Sequence, residues 1–357
     1  MRVTAVDVVP YALDFAQPYV TARGSLDRRE MALVRVRTDG GLEGLGEAVP
    51  MTLRGSNTLR DVVGELRSAG EELVGLDLSE PVDEGARPLT TSLSPPAAAA
   101  IELARLDLAA KLIDQPLWQL LGAQRCEPVE CNATLSAGGP AQVATDAERW
   151  AAQGFTAFKL KVGTLGDVGQ VEAVRSTLGP GARIRVDANG AWSVDGAIAR
   201  LTAMERHGLE LAEQPAANLD DLAAVKARSS VPIAADESVN DADDAVRAVS
   251  LSACDFATVK LAKVGGVGAA RRISAVLPVY LSSALDGPVG IAAAAHLAQV
   301  VAPAADGGLA HGLATQLLFS SSVAGVECEV RDGFLHPPTG PGLGVEIDDE
   351  ALDRARL

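Results

Sequence analysis

Phe158-Lys159-Leu160-Lys161-Val162 is the stretch from which the remainder of the chain is best understood. Side chains on a β-strand alternate between faces, so Lys159 and Lys161 share one side while Phe158, Leu160 and Val162 share the other. If the apolar side packs under helices, the lysines face the inside of a sheet or barrel, where an unpaired charge is costly and a lysine pKa falls. Taken alone, such a doublet describes a solvated surface strand. The segments around it decide otherwise.

On both sides the chain repeats strand, loop, helix. Strand-like segments are VECNATL (129–135), AFKLKV (157–162), RIRVDA (183–188), LELAEQ (209–214), PIAADE (232–237), FATVKLA (256–262) and PVYLSS (278–283), with an eighth near GLAHG (308–312). Helices fall between them: Ser193 and Asn240 are expected as N-caps, and Gly154, Gly179 and Gly208 as C-terminal stops. Eight strands alternating with helices over roughly 200 residues predict an α/β fold built on a parallel TIM-type (β/α)8 barrel rather than an open sheet. No GxGxxG follows the first strand, which removes the main dinucleotide-binding cue.

Ahead of the barrel, residues 3–15 and 30–38 are predicted strands, and Asp39-Gly40-Gly41 supplies turn chemistry before a third at GLEGLGEAVP (41–50). The intervening PYVTARGSLDRRE (18–30) is expected as an exposed loop or a lid over substrate. Helical periodicity covers 57–74 and 95–113, with Ser94 as a cap and Pro95 and Pro96 in the first turn. Asp114 and Pro116 end the second helix. The expected organisation is an α+β capping domain over 1–125, the barrel over 126–325, and a segment over 326–357 that packs back on the capping domain, with turns at Gly333, Gly340, Gly342 and Gly344.

Composition narrows the function. Of 357 residues, 48% are hydrophobic but only 3% aromatic, so aliphatic side chains must fill the core. A formal net charge of -16 argues against a nucleic-acid surface or an anionic membrane. Cys126, Cys131, Cys254 and Cys328 form no CxxC pair and are expected as free thiols in a reducing compartment. The N-terminus lacks a basic region followed by an apolar run, so no signal peptide is read there. No window reaches the roughly 18 uncharged apolar residues of a spanning helix. The alanine-rich run at 289–305, interrupted by His296 and Pro303, is expected as a buried helix. A cytoplasmic protein with a small-molecule ligand fits these features.

Charged residues recur near the ends of the central strands: Lys161, Asp187, Glu213, Asp236 and Lys260, separated by 26, 26, 23 and 24 residues, each one strand-helix unit. In a barrel those ends share the rim on which active sites are built. Three converging carboxylates repel one another unless a cation holds them, and oxygen ligands without Cys or His select Mg²⁺ or Mn²⁺ over zinc. Asn189 and Glu237 stand where they would orient those ligands. Lys161 and Lys260, from the second and sixth strands, flank the ion. The arrangement suits removal of a proton next to a carboxylate, with the cation stabilising the resulting charge. A lysine whose pKa is lowered by Lys159, the cation and desolvation is the expected neutral base.

The strings FKLKVG (158–163), RVDANGAW (185–192), LAEQPA (211–216), AADES (234–238) and VKLAKVGG (259–266) resemble the muconate-lactonizing-enzyme subgroup of the enolase superfamily, a superfamily in which Lys bases and Mg²⁺ are known partners. GLEGLGEAVP, AAAAIELARLDLAAKL (97–112) and PLWQLLG (116–122) resemble its capping domain. The resemblance covers nearly the whole chain. It implies a (β/α)7β barrel, Asp187, Glu213 and Asp236 as Mg²⁺ ligands, Lys161 and Lys260 as the acid/base pair, and a small carboxylate substrate; such proteins often form homo-oligomers.

Within that subgroup, SSALDGPVGIAAAAHLA (282–298), AHGLATQLLFSSSV (310–323) and PGLGVEID (341–348) resemble o-succinylbenzoate synthases. This implies dehydration of a cyclohexadiene succinyl carboxylate in menaquinone biosynthesis, with Ser283, Ala284, Leu285 and Gly312 lining the pocket. Ser322-Val323 departs from the acidic residue that often precedes the valine in synthases. No acidic DxD of the dipeptide-recognising members occurs between Gly308 and Val323, and His311 is expected as a polar rim residue. The same half-reaction serves an N-acylamino acid racemase using both lysines as bases, or a muconate-type cycloisomerase. A non-catalytic, metal-stabilised barrel that binds a ligand is the reading outside enzymology.

Overall fold

The computed structural model describes residues 1–55, 57–77, 93–164, 166–302 and 308–357. β1 (Val3–Thr21) and β2 (Gly24–Thr38) form one long antiparallel ribbon, and β3 (Glu43–Ala48) pairs with the other edge of β2. Residues 18–30 are therefore not a loop. Tyr19 pairs with Leu26, Val20 with Ser25 and Thr21 with Gly24, so only Ala22 and Arg23 turn, and the pairing is interrupted between Asp14 and Tyr19. The β-forming run Tyr19-Val20-Thr21 and the left-handed Gly24 (φ 140°) allow the ribbon to continue past the polar residues that suggested a loop.

α1 (Leu59–Leu73) and α2 (Pro95–Leu112) cover one face of this sheet, where Ala32, Val34, Val36, Leu66, Ile101 and Leu108 are buried together. Thr58 and Asp61 form a capping box at the start of α1. Ser94 occupies the N-cap position of α2, but its hydroxyl donates to Glu65 at 2.5 Å and makes no capping bond. α2 passes so close to β3 that a Cβ on Gly46 would overlap the Ala100 carbonyl, which explains the small residues in Gly44-Leu45-Gly46.

After α3 (Leu117–Leu120) and β4 (Val129–Glu130) comes a seven-stranded parallel sheet: β5 (Asn132–Leu135), β6 (Ala157–Lys161), β7 (Arg183–Asp187), β8 (Leu209–Glu213), β9 (Ile233–Ala235), β10 (Phe256–Val259) and β11 (Val279–Leu281), neighbours in that order. The connecting helices are α4 (Pro140–Ala151), α5 (Asp167–Leu178), α6 (Val194–Glu205), α7 (Leu219–Lys226), α8 (Ala242–Ser250), the short α9 (Leu261–Val264) and α10 (Val267–Ser274), followed by α11 (Pro288–Ala298). Residues around Gly312 supply the closing strand: His311 pairs with Cys131 of the first side and Gly312 with Ser282 of the last, both parallel. The fold is thus a (β/α)7β barrel with an N-terminal capping domain.

Gly154, Gly179 and Gly208 adopt left-handed φ where their helices stop, and Ser193 caps α6. Asn240 does not cap α8. That role belongs to Asp241, whose carboxylate accepts from Asp244 N at 2.8 Å, while Asn240 donates to the Asp244 side chain. The alanine-rich run forms α11, buried along its length; Pro303 lies outside the described residues. All four cysteines are free. No helix among the described residues is long and apolar enough to cross a membrane.

At the C-terminal end, β12 (Ala324–Val326) pairs with β15 (Glu346–Ile347), and β13 (Glu329–Arg331) with β14 (Phe334–His336), which also pairs with β4. α12 (Asp349–Ala355) ends against β1, where Leu357 N donates to the Pro10 carbonyl at 3.1 Å.

A buried carboxylate joins the capping sheet to the barrel. Glu47 of β3 accepts from the Tyr11 hydroxyl and, at 3.0 Å, from Gly290 N near the start of α11. Gly287 and Gly290 leave the space, since a Cβ on Gly287 would lie 2.5 Å from Glu47 Oε1. Burial, with help from nearby Asp286, pushes Glu47 from 4.5 up to about 7, against the lowering effect of its hydrogen bonds. The folded chain therefore holds a proton here that the unfolded chain releases between pH 4.5 and about 7, so this group's contribution to stability falls as pH rises through that window. Glu47→Gln should flatten that segment of the profile. The stability difference between variant and wild type should shift in the variant's favour by on the order of 3 kcal/mol between pH 4 and pH 8 in denaturant titrations. An unchanged slope would count against a protonated Glu47.

Candidate active site

The site forms because β6, β7, β8, β9 and β10 end side by side. Lys161 pairs directly with Asp187, and Asp187 with Glu213, across the ladder. Glu213 is opposite Ala234, so Asp236, two residues farther along, points to the same side, as does Lys260 just beyond β10. Lys161, Asp187, Glu213, Asp236 and Lys260 are all buried.

The charges interlock. Lys159 Nζ lies between Asp187 Oδ2 (2.9 Å) and Glu213 Oε2 (2.5 Å), and Lys161 Nζ donates to Asp187 Oδ2 at 2.5 Å and to Asn189 Oδ1 at 3.3 Å. Lys260 Nζ is 2.5 Å from Asp236 Oδ2. Burial pushes the Asp187 carboxyl up, but Lys159, Lys161 and Lys260 outweigh it and hold it well below the usual carboxylate range. Glu213 is pushed up by burial and by Asp187. The expectation of a depressed Lys161 pKa is not met in this arrangement. Desolvation, the largest single effect, and the charge of Lys159 lower it, but Asp187 together with Tyr19 and Glu213 outweighs them and raises it.

Asn189 and Glu237 connect these groups: Asn189 N donates to Asp187 Oδ1 at 2.9 Å, and its side-chain amide donates to Glu237 Oε1 at 3.2 Å. Asn189 and Gln214 both have left-handed φ, 48° and 38°. Such strain at strand ends beside functional groups is held by the surrounding structure. Gln214 Oε1 accepts from Asp236 N at 2.8 Å, fixing the loop that carries Asp236.

Several participants escaped the sequence reading. Lys263 reaches back from α9 to Asp236 Oδ1 (3.0 Å) and to the Thr258 carbonyl (2.9 Å); its three-residue spacing from Lys260 was the available signal. Tyr280 donates to Glu213 Oε2 at 2.7 Å, a contact between nonadjacent strands that no local pattern encodes. Arg23, at the tip of the β1–β2 ribbon, donates to the Asn189 carbonyl at 3.0 and 3.2 Å and stands 3.7 Å from Glu237. That ribbon closes over the cleft from the capping side.

The strand ends border a cleft that is partly open to solvent. Lys159, Lys161, Lys260, Asn189 and Glu237 line it together with Ser283, Ala284 and Leu285. Gly312 is not among its lining residues. Its backbone pairs with Ser282 and accepts from Ser283 N at 3.0 Å, and Thr315 supplies the wall nearby. His311 is not on the rim either: it borders a separate hollow with Val129 and Glu130 at the other end of the barrel, and its ring accepts from Leu281 N at 2.9 Å. Burial and neighbouring Arg185 push that ring down to about 4, so it is neutral.

Among the described residues, no three Asp, Glu, His or Cys side chains form a ready-made metal cage, since lysine ammonium groups stand between the carboxylates. The donors nevertheless suit a hard divalent cation. Asp187, Glu213 and Asp236 offer only oxygen, and Glu213 Oε1 is buried without a hydrogen-bond partner. A buried, unsatisfied carboxylate oxygen is costly unless something binds it.

Sequence comparison places this geometry among known proteins. Residues 3–122 match the family described as mandelate racemase / muconate lactonizing enzyme, N-terminal domain, and residues 142–351 match the enolase C-terminal domain-like family. The chain is 43% identical over 240 residues to an o-succinylbenzoate synthase of Thermobifida fusca, spanning 65% of this chain and 72% of that protein. It is 31% identical to an L-Ala-D/L-Glu epimerase of Bacillus subtilis over 84% of this chain and 85% of the other. The crystal structure of a dipeptide epimerase from Enterococcus faecalis V583, complexed with Mg and the dipeptide L-Leu-L-Tyr, superposes with a TM-score of 0.89 at 28% identity, covering 97% of this chain and all of that one (100%).

Proposed function

Because the chain belongs to the mandelate racemase and muconate lactonizing enzyme family of the enolase superfamily, we propose that it is a Mg²⁺-dependent lyase that forms o-succinylbenzoate by removing the proton next to a substrate carboxylate and expelling water. The observation that carries the proton-transfer chemistry is the pair Lys161 and Lys260, which face one cleft from the second and sixth barrel strands with three carboxylates between them. The choice of dehydration rests on the barrel tail, Ser282 to Val323, and on the similarity to the Thermobifida fusca synthase.

Asp187, Glu213 and Asp236 would hold the cation, which when bound supplies Lewis-acid stabilisation of the negative charge that develops on the substrate carboxylate. Lys161 takes the proton and then, protonated, gives it to the departing hydroxyl on the same face. Its contact with Asp187 favours the charged form, so it becomes a base only when Asp187 is engaged elsewhere. Lys260 remains charged and stabilises the developing anion from the other face. Asn189 orients Lys161 through its side-chain oxygen, and Lys159 sits one layer deeper as a fixed counter-charge. Leu285, Ala284 and Arg23 at the ribbon tip border the same cleft.

The experiment is direct: purified protein, Mg²⁺ and the cyclohexadiene substrate, with formation of the aromatic product followed by absorbance. Turnover is expected, and its absence sinks the synthase reading. A second reading, racemisation of an N-acylated amino acid, has the specific support of lysines on both faces and of the epimerase similarity. It requires solvent deuterium to enter both enantiomers at the α-carbon. A muconate-type cycloisomerase would use the same groups on a different diacid.

A further inference from the structure

Arg29 of β2 is 5% exposed and lines the same cleft as Lys161 and Lys260. Its Nε is buried with no hydrogen-bond partner, and among the described residues its guanidinium makes no ion pair. Other buried or half-buried arginines also leave one nitrogen unsatisfied, but Arg35 pairs with Asp349 and Glu43, Arg185 pairs with Glu210, and Arg105, half-buried on α2, does not line this cleft. The carboxylate that influences Arg29 most is Asp286, yet Asp286 accepts from Ala284 N at 2.7 Å and stands outside ion-pairing distance. Burying a guanidinium without a partner is among the costliest arrangements in a protein, and its planar fork matches a carboxylate.

The remaining lining points the same way. Leu26, Met51 and Leu53, with the ring of Tyr19, form an apolar wall in this cleft alongside Arg29. Counting Arg29, six cations (Lys159, Lys161, Lys260, Lys263, Arg23 and Arg29) stand against five carboxylates (Asp187, Glu213, Asp236, Glu237 and Asp286), a small positive excess before any metal binds. One substrate carboxylate is needed beside the reacting carbon; Arg29 calls for another.

We propose that Arg29 binds a second, distal carboxylate of the substrate, so that this enzyme selects diacids whose acyl chain ends in a carboxylate over otherwise identical monoacids. The assignment builds on the carboxylate chemistry proposed for the site but does not require dehydration.

The test is calorimetric binding to the Mg²⁺-loaded protein of two matched pairs: 2-succinylbenzoate against 2-butanoylbenzoate, and N-succinylvaline against N-butanoylvaline. In each pair a methyl replaces the distal carboxyl. Wild type should favour the succinyl member by roughly 10- to 100-fold, the size of a charge-assisted hydrogen-bonded contact. Arg29→Met should reduce that preference to about threefold or less while leaving butanoyl binding near wild type, and Arg29→Lys should keep part of it. If Arg29→Met does not fold, a partial loss of preference in Arg29→Lys carries the test. Preference retained in the variants, equal weakening of both members, or no binding of any ligand overturns the assignment. Preference confined to the valine pair would remove the synthase reading and leave Arg29 in its role.

Discussion

Replacing Lys161 with methionine is expected to abolish turnover, a loss of at least about 10³-fold in kcat, within the range that a positioned acid-base group contributes. The fold should survive, because Asp187 keeps Lys159 at 2.9 Å and Asn189 N at 2.9 Å, so no carboxylate is stranded. Circular dichroism and melting temperature should stay close to wild type. The variant should also fail to exchange the substrate's α-proton with deuterated solvent, which separates loss of the base from loss of a later step. Lys159→Met should behave differently: turnover weakened but measurable, because this lysine lies deeper and contacts carboxylates rather than the reacting carbon. Activity of Lys161→Met within tenfold of wild type would falsify the assignment of the base.

The second large effect concerns the cation. Glu213→Gln removes the charge of the carboxylate whose Oε1 is buried without a partner. Losing even an outer group of a metal site typically costs 10- to 100-fold in affinity, so removal of a ligand charge should lower Mg²⁺ affinity by at least about 100-fold. The readout need not involve catalysis. Mg²⁺ at a hundred times its dissociation constant stabilises a protein by about 2.7 kcal/mol, so wild type should melt at a higher temperature with Mg²⁺ than without. Glu213→Gln should show little response at the same concentration, and Asp187→Asn should share that insensitivity. If both variants gain as much from Mg²⁺ as wild type, these carboxylates are not its ligands.

The lysine doublet and the regularly spaced acids were legible because a β-strand and a strand-helix unit are local periods. Alternation puts Lys159 and Lys161 on one face, and one unit per strand brings Asp187, Glu213 and Asp236 to one rim. Asn189 and Glu237 were legible for the same reason, being next to those acids in sequence. The ribbon at residues 18–30 is not legible locally, because polarity and Gly24 look alike in a loop and in an exposed hairpin; cross-strand pairing decides between them, and it is not a local property.

What the sequence by itself determined was the class of fold and the rim on which the charges meet, since both follow from spacing along the chain. Tertiary structure alone decided the states and partners of those charges. Lys161 is raised on balance by Asp187 and its neighbours although Lys159 lowers it, Tyr280 joins the carboxylates from a nonadjacent strand and Lys263 from α9, and Arg29 is buried in the cleft without an ion pair. The physical reason is that periodicity fixes which way a side chain points, whereas its electrostatic environment is the sum over groups far apart in sequence and becomes defined only when the barrel closes and the capping ribbon comes down on it.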